Sequence, residues 1–598
     1  MARMTDLADS AKRQRSIMVA VLVVMLVFAG RLVYVQGIAG PALAQDALDM
    51  RLRSPETIYA PRGEILDSSG TVLATTVETY DIRANLNQIP DYRLKDPDDG
   101  AVVGYGALAA ADQLIKVLGV PDGEDPEDYR AEFAASLVGT NGYHLIASDV
   151  SPKLWEEVRD LRIDGIYAET QHKREYPNNT LAGSMIGFVD AAGNGGAGLE
   201  YRLEEHLQGK DGKRSAEKGA GGQVIPTGQQ EITPAIPGCD VHLTIDSDLQ
   251  WHAQEVVDET VSKYGAEWGA ALVIENETGK ILSLADSSAG DPNKAGKEGA
   301  EAWRLNSVQG VYDPGSTGKV LTVLSALEEG AVEPTTAIED PYAMTMPNGQ
   351  KFSDHTEHPD QTLTVAGVLA ESANTGTINI GKLLDDDTRY SYMQKMGWGE
   401  KTGIELPNES PGLLRPPEEW DGRTKYATMF GQGLGVTLAQ NTSVFAMIGN
   451  DGTYLPPRLI DRMECDGETI APESDPVDVA SKESSREMVR MLESVVTSDS
   501  GTGHNAAVEG YRVAGKTGTA QIPDASGKLN DNAASFVGMV PAEDPELTIG
   551  VVIYRPSSGF YGGTVAAPVF ADIASFALPK LGILPSTEEA DPYPLKVE

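Results

Sequence analysis

Residues 17–38 read I-M-V-A-V-L-V-V-M-L-V-F-A-G-R-L-V-Y-V-Q-G-I, and no other stretch restricts the chain so strongly. A run this apolar and this long is what a helix needs to cross a bilayer. Inside lipid each backbone polar group must be satisfied within the segment, so the run is expected to be helical. Arg3, Lys12, Arg13 and Arg15 precede it, which puts the short amino-terminal tail in the cytoplasm and everything after the run outside. Arg31 lies near the outer end, where its guanidinium can snorkel to the interface or meet a partner helix. A cleaved signal peptide is the competing reading, because Ala42-Leu43-Ala44 has the A-x-A form. That site lies far beyond the apolar core, and a membrane anchor is favoured. No other segment reads as apolar for long enough to span.

The body that follows is too long for one ordinary core, so two or three domains are expected in a chain of 598 residues. It carries 48 basic and 89 acidic residues, a net charge of −41. Such a surface repels nucleic acid, and DNA and RNA are excluded as partners. Cys239 and Cys465 are the only cysteines. Two in a chain of this size do not make a disulfide scaffold, there is no C-x-x-C pair for a metal, and the sequence does not say whether the two bridge.

From Arg51 to about Gln230 the sequence is irregular and rich in Gly, Pro, Asp and Asn, which reads as β- and loop-rich with inserted helices such as Ala107 to Leu118. Gly219-Ala-Gly-Gly-Gln223 with Pro226, Pro234 and Pro237 marks a linker. Beyond it Leu243-Thr-Ile-Asp246 reads as a strand running into a helix capped by Asp246 or Ser247. Ala270 to Ile274 and Lys280 to Ala285 flank Asn276-Glu-Thr-Gly279 as a hairpin. Ser535 to Val540 and Leu547 to Tyr554 read as two late strands. Helices between these pairs suggest an antiparallel sheet covered by helices. The stretch after Leu584 is acidic and Pro-rich and reads as a tail.

Gly510-Tyr-Arg-Val-Ala-Gly-Lys-Thr-Gly-Thr-Ala-Gln521 fits two unrelated chemistries. Gly510, Gly515, Lys516 and Thr517 satisfy the phosphate-binding pattern G-x-x-x-x-G-K-[ST]. That pattern needs a buried strand before it and a helix opening at its Lys-Thr. Here a polar loop, Ser500 to Asn505, precedes it, and Gly518, Pro523 and Gly527 follow. Nucleotide binding is therefore rejected.

The same residues contain K-T-G-T, and other parts of the chain complete a serine-enzyme set. Ser316-Thr-Gly-Lys319 is an S-x-x-K, followed by Val320, Leu321, Val323, Leu324 and Leu327 and then Gly330. This predicts a buried helix opening at Ser316 and closing at Gly330, with the Lys319 amine within reach of the Ser316 hydroxyl. A serine hydroxyl is a poor nucleophile until a neighbouring base takes its proton, and a lysine serves only when neutral. Burial and a second nearby cation favour that state. A helix N-terminus at Ser316 also aims N–H groups at a developing oxyanion. Ser372-Ala-Asn374 follows as an S-x-N between two helical stretches, with a hydroxyl to relay a proton and an amide to hold a substrate peptide group. Lys516 then supplies positive charge for a substrate carboxylate, Thr517 and Thr519 hydrogen-bond it, and Gly518 lets a substrate backbone lie close. The Thr519 N–H joins that of Ser316 in the oxyanion hole. A second K-T-G at Lys401-Thr-Gly403 precedes Ile404-Glu-Leu-Pro407 and reads as a structural turn. Each motif alone is weak, and the ordered trio is the signal.

With these residues in hand, the chain resembles class B penicillin-binding proteins, most of all the FtsI-type transpeptidases of cell division. Ala60-Pro-Arg-Gly-Glu-Ile-Leu-Asp67 with Gly70 and Leu73-Ala74 resembles the opening of that family's pedestal, and Gly198-Leu-Glu200 with Tyr201, Leu207 and Gly209 resembles a second pedestal motif. Gly431-Gln-Gly433 with Thr437 and Gln440 resembles a segment behind the active site. Two departures stand out. Ser68-Ser69 replaces a basic residue, and Gly318 stands where many members carry Phe, which implies a looser helix start.

The resemblance implies an α+β chain on one transmembrane helix, with a β-rich pedestal leading to a transpeptidase domain built on an antiparallel five-stranded sheet flanked by helices. Its segments are a cytoplasmic tail (1–16), the anchor (17–38), a dimerisation-like pedestal (39–235), the transpeptidase domain (240–584) and an acidic tail (585–598). It further implies a D,D-transpeptidase that cross-links peptidoglycan stem peptides ending in D-Ala-D-Ala, during septal wall synthesis, through an acyl-enzyme on Ser316. Lys319, Ser372, Asn374 and Lys516 would complete the catalytic set, and Thr517, Gly518 and Thr519 would bind substrate. No cofactor and no metal are expected. β-Lactams would acylate the same serine, and a SEDS-type glycosyltransferase with other division membrane proteins would be partners. The cell membrane at the division septum is the implied location, with the catalytic domain outside. An elongation-type enzyme, a carboxypeptidase or β-lactamase using water, and a silent division scaffold remain as alternatives.

Overall fold

A computed structural model describes residues 7–40, 56–140, 142–217, 230–523 and 529–597. The Ala42–Ala44 stretch and the Gly219–Gln223 part of the expected linker lie outside these residues. Two compact units divide the chain, one within 1–61 and 209–237, the other within 62–208 and 238–598.

In the first unit, helix α1 (Leu7–Val33) continues as a π-helical turn through Tyr34–Ile38. Its apolar side chains are exposed all round, Ile17 at 64% and Phe28 at 71%, as expected of a helix made for lipid. The same unit holds a three-stranded antiparallel sheet of Glu56–Ile58, Gly212–Ala216 and Gln230–Thr233. The last of these strands occupies part of the region read as linker.

The second unit begins with strands β1 (Ile65–Leu66), β2 (Val72–Ala84), β3 (His144–Val150) and β4 (Ile166–Glu175). β2 pairs antiparallel with β4 from Thr75–Glu175 to Ala84–Ile166. Strand β5 (Asp240–Leu243) then runs parallel to β1 and antiparallel to Ile460–Cys465. Its register sets Asp240 opposite Glu464, so Cys239 faces Cys465, and the two form a disulfide. Such bridges persist in oxidising compartments.

The two pedestal motifs found in the sequence meet in the interior. Arg62 Nε lies 2.6 Å from Glu200 Oε2, Arg62 Nη2 lies 2.7 Å from Glu204 Oε2, and Arg174 Nε lies 2.7 Å from Glu200 Oε1. Glu200 is fully buried. Burial works to strip the Arg62 proton, but Glu200 and Glu204 outweigh it and hold the guanidinium charged. Where a basic residue was expected, Ser69 closes a turn, its N–H and hydroxyl both donating to Asp67 Oδ1.

The central sheet is five-stranded and antiparallel. Its strands are β6 (Trp268–Glu275), β7 (Ile281–Asp286), β8 (Ala514–Pro523), β9 (Leu529–Val540) and β10 (Leu547–Tyr554), in the order β7-β6-β10-β9-β8. The helices around it are α2 (Ser247–Tyr264), α3 (Lys319–Glu328), α4 (Val365–Ala370), α5 (Asn374–Gly381), α6 (Leu438–Gly449), α7 (Lys482–Thr497) and α8 (Gly562–Leu581). Strand periodicity sorts the core into two layers. Ala271, Val273, Ile549, Val551 and Ile553 cluster with α2 and α8. Ala270, Leu272, Ile274 and Val552 cluster with α3 and α6. Asp246 caps α2 through the Leu249 N–H. By length and composition α8 also passes as a membrane span, contrary to the sequence expectation, but half of that window is buried against the sheet. The stretch after Leu584 is docked on the unit, as described below.

Candidate active site

Ser316 sits on a 3₁₀ turn, Gly315–Gly318, and the α-helix begins only at Lys319, later than the sequence pattern predicts. Gly315 adopts φ +56° and donates its N–H to the Gly431 carbonyl at 2.8 Å, which tightens the chain at that point. In a 3₁₀ turn side chains three apart eclipse, so Ser316 and Lys319 project to one side. The turn is not loose at Gly318. A Cβ there would lie 2.8 Å from the Gly431 Cα and 3.3 Å from the Trp398 ring, which fill the space a larger residue would need. Thr317 is buried; its hydroxyl donates to the Pro314 carbonyl at 2.8 Å, and the Asn441 amide donates to it at 3.0 Å. Ahead of the turn, burial pushes the Asp313 carboxyl up to about 6, although it accepts the Gly433 N–H at 3.1 Å. The Gly431–Gly433 segment thus cradles the Ser316 turn.

Ser372 has φ +58°, a left-handed conformation usual for glycine. It closes α4 in a Schellman arrangement: the Ser372 N–H donates to the Leu369 carbonyl and the Ala373 N–H to that of Val368. A serine in this position costs about 1 kcal/mol or more of backbone strain. The turn aims both its carbonyl and its hydroxyl at lysine. Lys319 Nζ donates to the Ser372 carbonyl and lies 3.3 Å from its Oγ. Lys516 Nζ lies 2.9 Å from the same Oγ. The sequence placed the Lys319 amine against Ser316, whereas its hydrogen bonds go to Ser372.

Both lysines are fully buried, and among the described residues neither forms an ion pair. Burial lowers the Lys319 amine to about 7, with the charges of Asp354 and Asp340 opposing the fall. Lys516 is driven well below its ordinary range by burial and then by the Lys319 charge. Burial thus disfavours a proton on either amine, and a charge on one disfavours a charge on the other.

Asn374 opens α5 next to this turn. The N-cap, Ala373, has no side chain that can accept a hydrogen bond. Instead Asp354 Oδ1 accepts the N–H groups of Asn374 and Thr375, and Asp340 Oδ1 accepts that of Gly376 at 3.0 Å. His358 Nε2 lies 3.2 Å from Asp354 and 3.8 Å from Asp340. Ligand-type atoms of these three residues lie within 4.8 Å of one another, and the carboxylates use their oxygens on the helix. The sequence reading missed this trio. Its one signal was Ala373, since a helix that opens after alanine must find acceptors elsewhere. The Asn374 amide donates to the Ser353 carbonyl at 3.0 Å.

Lys516, Thr517, Gly518 and Thr519 lie within strand β8, paired with β9. No helix opens at Lys516-Thr517, so the phosphate-loop reading fails on geometry as well. Gly518 is required by its own neighbours. A Cβ there would stand 2.2 Å from Ser535 Oγ and 2.8 Å from the Pro314 carbonyl, so the strand and the Ser316 turn touch directly. The Thr517 hydroxyl is 2.7 Å from that of Thr502, in the polar stretch that precedes the strand, and the Thr519 hydroxyl accepts the Gly562 N–H at 3.1 Å. At the mouth, His355 Nε2 and the Tyr561 hydroxyl stand 2.7 Å apart and join the S-x-N side to the K-T-G-T side. The second K-T-G is held by Glu409, whose Oε1 accepts the Thr402 N–H and hydroxyl, both at 2.6 Å.

Residues 269–575 match the transpeptidase domain of penicillin-binding proteins, and residues 57–243 match the penicillin-binding protein dimerisation domain. Penicillin-binding protein PbpB of Mycolicibacterium smegmatis is 31% identical over 98% of this chain and 92% of its own length. The chain belongs to the class B penicillin-binding proteins. Within this family, peptidoglycan D,D-transpeptidase FtsI of Escherichia coli is 30% identical over 94% of this chain and 91% of its own. Penicillin-binding protein 3 of Mycobacterium tuberculosis, solved in complex with aztreonam, superposes with a TM-score of 0.69 at 26% identity over 91% of this chain and all of that one. In this penicillin-binding protein, Arg62, Arg174 and Glu200 fall in the dimerisation match, and Ser316, Lys319, Ser372, Asn374 and Lys516 fall in the transpeptidase match.

Proposed function

We propose that this penicillin-binding protein is a serine D,D-transpeptidase that cross-links peptidoglycan stem peptides. The observation that carries the reading is the meeting of three distant segments on one hydroxyl, Ser372 Oγ, between two buried lysine amines, so that the proton in play is one held between them. A terminal D-Ala carboxylate lying along β8 beside Lys516, Thr517 and Thr519 draws that proton to Lys516 and leaves Lys319 neutral. Lys319 then accepts the Ser316 proton as Oγ attacks the carbonyl of the penultimate D-Ala. The N–H groups of Ser316 and Thr519 hold the oxyanion, and Asn374 holds the peptide. The proton passes through Ser372 to the departing amine, the C–N bond breaks, and D-alanine leaves. An amine of a neighbouring stem attacks the ester and releases Ser316 by the reverse proton path.

Aztreonam and ampicillin complexes of the mycobacterial relative support β-lactams as acylating agents of Ser316 here. The name FtsI among relatives favours work at the division septum, alongside a SEDS-type glycosyltransferase and other membrane proteins. The basic residues that precede the apolar run 17–38 favour a catalytic domain on the outer side. Two synthetic stem peptides, one ending in D-Ala-D-Ala and one offering an amine, test the reaction. Cross-linked product with free D-alanine is expected. Hydrolysed donor alone means a carboxypeptidase, and no product means a scaffold.

A further inference from the structure

The sequence reads the segment after Leu584 as a tail, yet it touches both elements that carry the lysine-linked site. At its start, the Tyr511 hydroxyl donates to the Ile583 carbonyl at 2.7 Å, the Ser586 N–H donates to the Gly510 carbonyl at 2.9 Å, and the Arg512 N–H donates to Ser586 Oγ at 2.9 Å. Gly510 to Arg512 lead directly into β8 and Lys516. The segment then crosses α7, where Arg490 pairs with Asp591 and its guanidinium stands 4.1 Å above the Tyr593 ring. It ends against α4. The Thr364 hydroxyl donates to the Pro594 carbonyl at 2.6 Å, the Thr364 N–H donates to the Leu595 carbonyl at 3.0 Å, and Leu363 pairs with Lys596 as in an antiparallel ladder.

Thr364 is also the N-cap of α4, its hydroxyl accepting the Gly367 N–H at 3.0 Å, and α4 ends in the turn that holds Ser372. Side chains continue the link. Lys596 Nζ stands 3.3 Å from Gln361 Oε1 and 3.8 Å from Glu371, and the Gln361 amide donates to Asp340 and Glu371, both at 3.1 Å. Asp340 is one of the two carboxylates that cap α5. The backbone fit is close, since a Cβ on Gly367 would stand 2.0 Å from the Leu595 carbonyl oxygen.

We propose that residues 583–596 form a positioning strap, which ties the lead into the K-T-G-T strand to the helix of the S-x-N turn and so sets Ser372 against Lys516. A tie of this kind costs the site little in bulk stability, but small displacements between reacting groups are steep in rate. The inference rests on the acyl-transfer reading for its kinetic consequence and on geometry alone for the tie.

Two variants of the full-length chain test it. One lacks residues 587–598. The other is Gly367→Ala, which expels the strap while giving α4 a better helix former. Amide hydrogen exchange and penicillin acylation are measured on both at a temperature where each is folded. The strap predicts faster exchange in residues 365–381 and 510–517 with residues 268–286 unchanged. It also predicts an acylation rate constant lower by on the order of tenfold or more, with the initial binding constant nearly unchanged. Unchanged exchange in both motif segments, or an equal rise across the whole sheet, overturns the proposal. If the variants exchange as described but the wild type takes no acyl group, the acyl-transfer reading fails while the exchange data still decide the strap.

Discussion

Among the described residues, two places bury a pair of cations, and they treat them oppositely. Arg62 and Arg174 converge on Glu200, fully buried and accepting from both, so each charge has a partner, and the Glu200 and Gly63 carbonyl oxygens each accept one further N–H. Lys319 and Lys516 converge on a neutral serine hydroxyl and, among the described residues, find no carboxylate within ion-pair distance. The first arrangement pairs each guanidinium with a carboxylate and serves as architecture. In the second, burial lowers the hold of both amines on their protons and leaves the pair poised to transfer one. Burial of charge is thus uninformative until its partners are known.

The largest expected effect is on the chemistry. Ser316→Ala should take no penicillin label at all, a loss on the order of a millionfold, with an unchanged melting curve. Lys319→Met and Glu200→Gln then separate the two regions. Lys319→Met should lower acylation on the order of a hundred- to ten-thousandfold while stability holds or rises, because an unpaired buried amine has gone. Glu200→Gln should cost about 3–5 kcal/mol in denaturant unfolding, since Arg174 loses its counter-charge and Arg62 keeps only Glu204, with acylation per folded molecule preserved. If both variants lose activity and stability together, the contrast is false.

A subtler effect lies in pH. The acid limb of acylation should fall near the Lys319 value of about 7. Asp354 is a charge that raises that amine, so Asp354→Asn should move the limb to lower pH, read from rate against pH. Stability carries the same signature. The unfolded lysines bind protons up to their ordinary range near 10.5, above both folded values, so the unfolded state holds more protons in between. Stability should therefore rise with pH from about 7 towards 10, and the slope should shrink in Lys319→Met. The smallest effect belongs to Lys401→Ala in the second K-T-G, which should leave acylation within about twofold and stability within about 0.5 kcal/mol.

Much of this was legible in the sequence because it is local. The hairpin around Asn276, the Asp246 cap, the sheet's late strands and the K-T-G-T strand all follow from periodicity and turn residues near in sequence. The Schellman turn was not legible, because Ser372 occupies a glycine position and only the surrounding packing holds it there. Nor was the capping of α5 by Asp340 and Asp354, which lie 20 or more residues upstream. The 3₁₀ winding at Ser316 depends on Gly431, and the close fit at Gly318 depends on Trp398, neither of which a motif reports. The Pro-rich stretch after Leu584 has a disordered composition, yet its carbonyls are fixed by Thr364, a residue more than 200 positions away.

The most direct measurement is a mass spectrum of the full-length chain after exposure to a penicillin, followed by peptide mapping. A single adduct of the whole β-lactam on the Ser316 peptide, slow to form below pH 7, absent in Ser316→Ala and formed far more slowly in Lys319→Met, is the expected result. An adduct on another residue, or one that forms as fast without the Lys319 amine, would contradict a hydroxyl activated by an unpaired buried lysine.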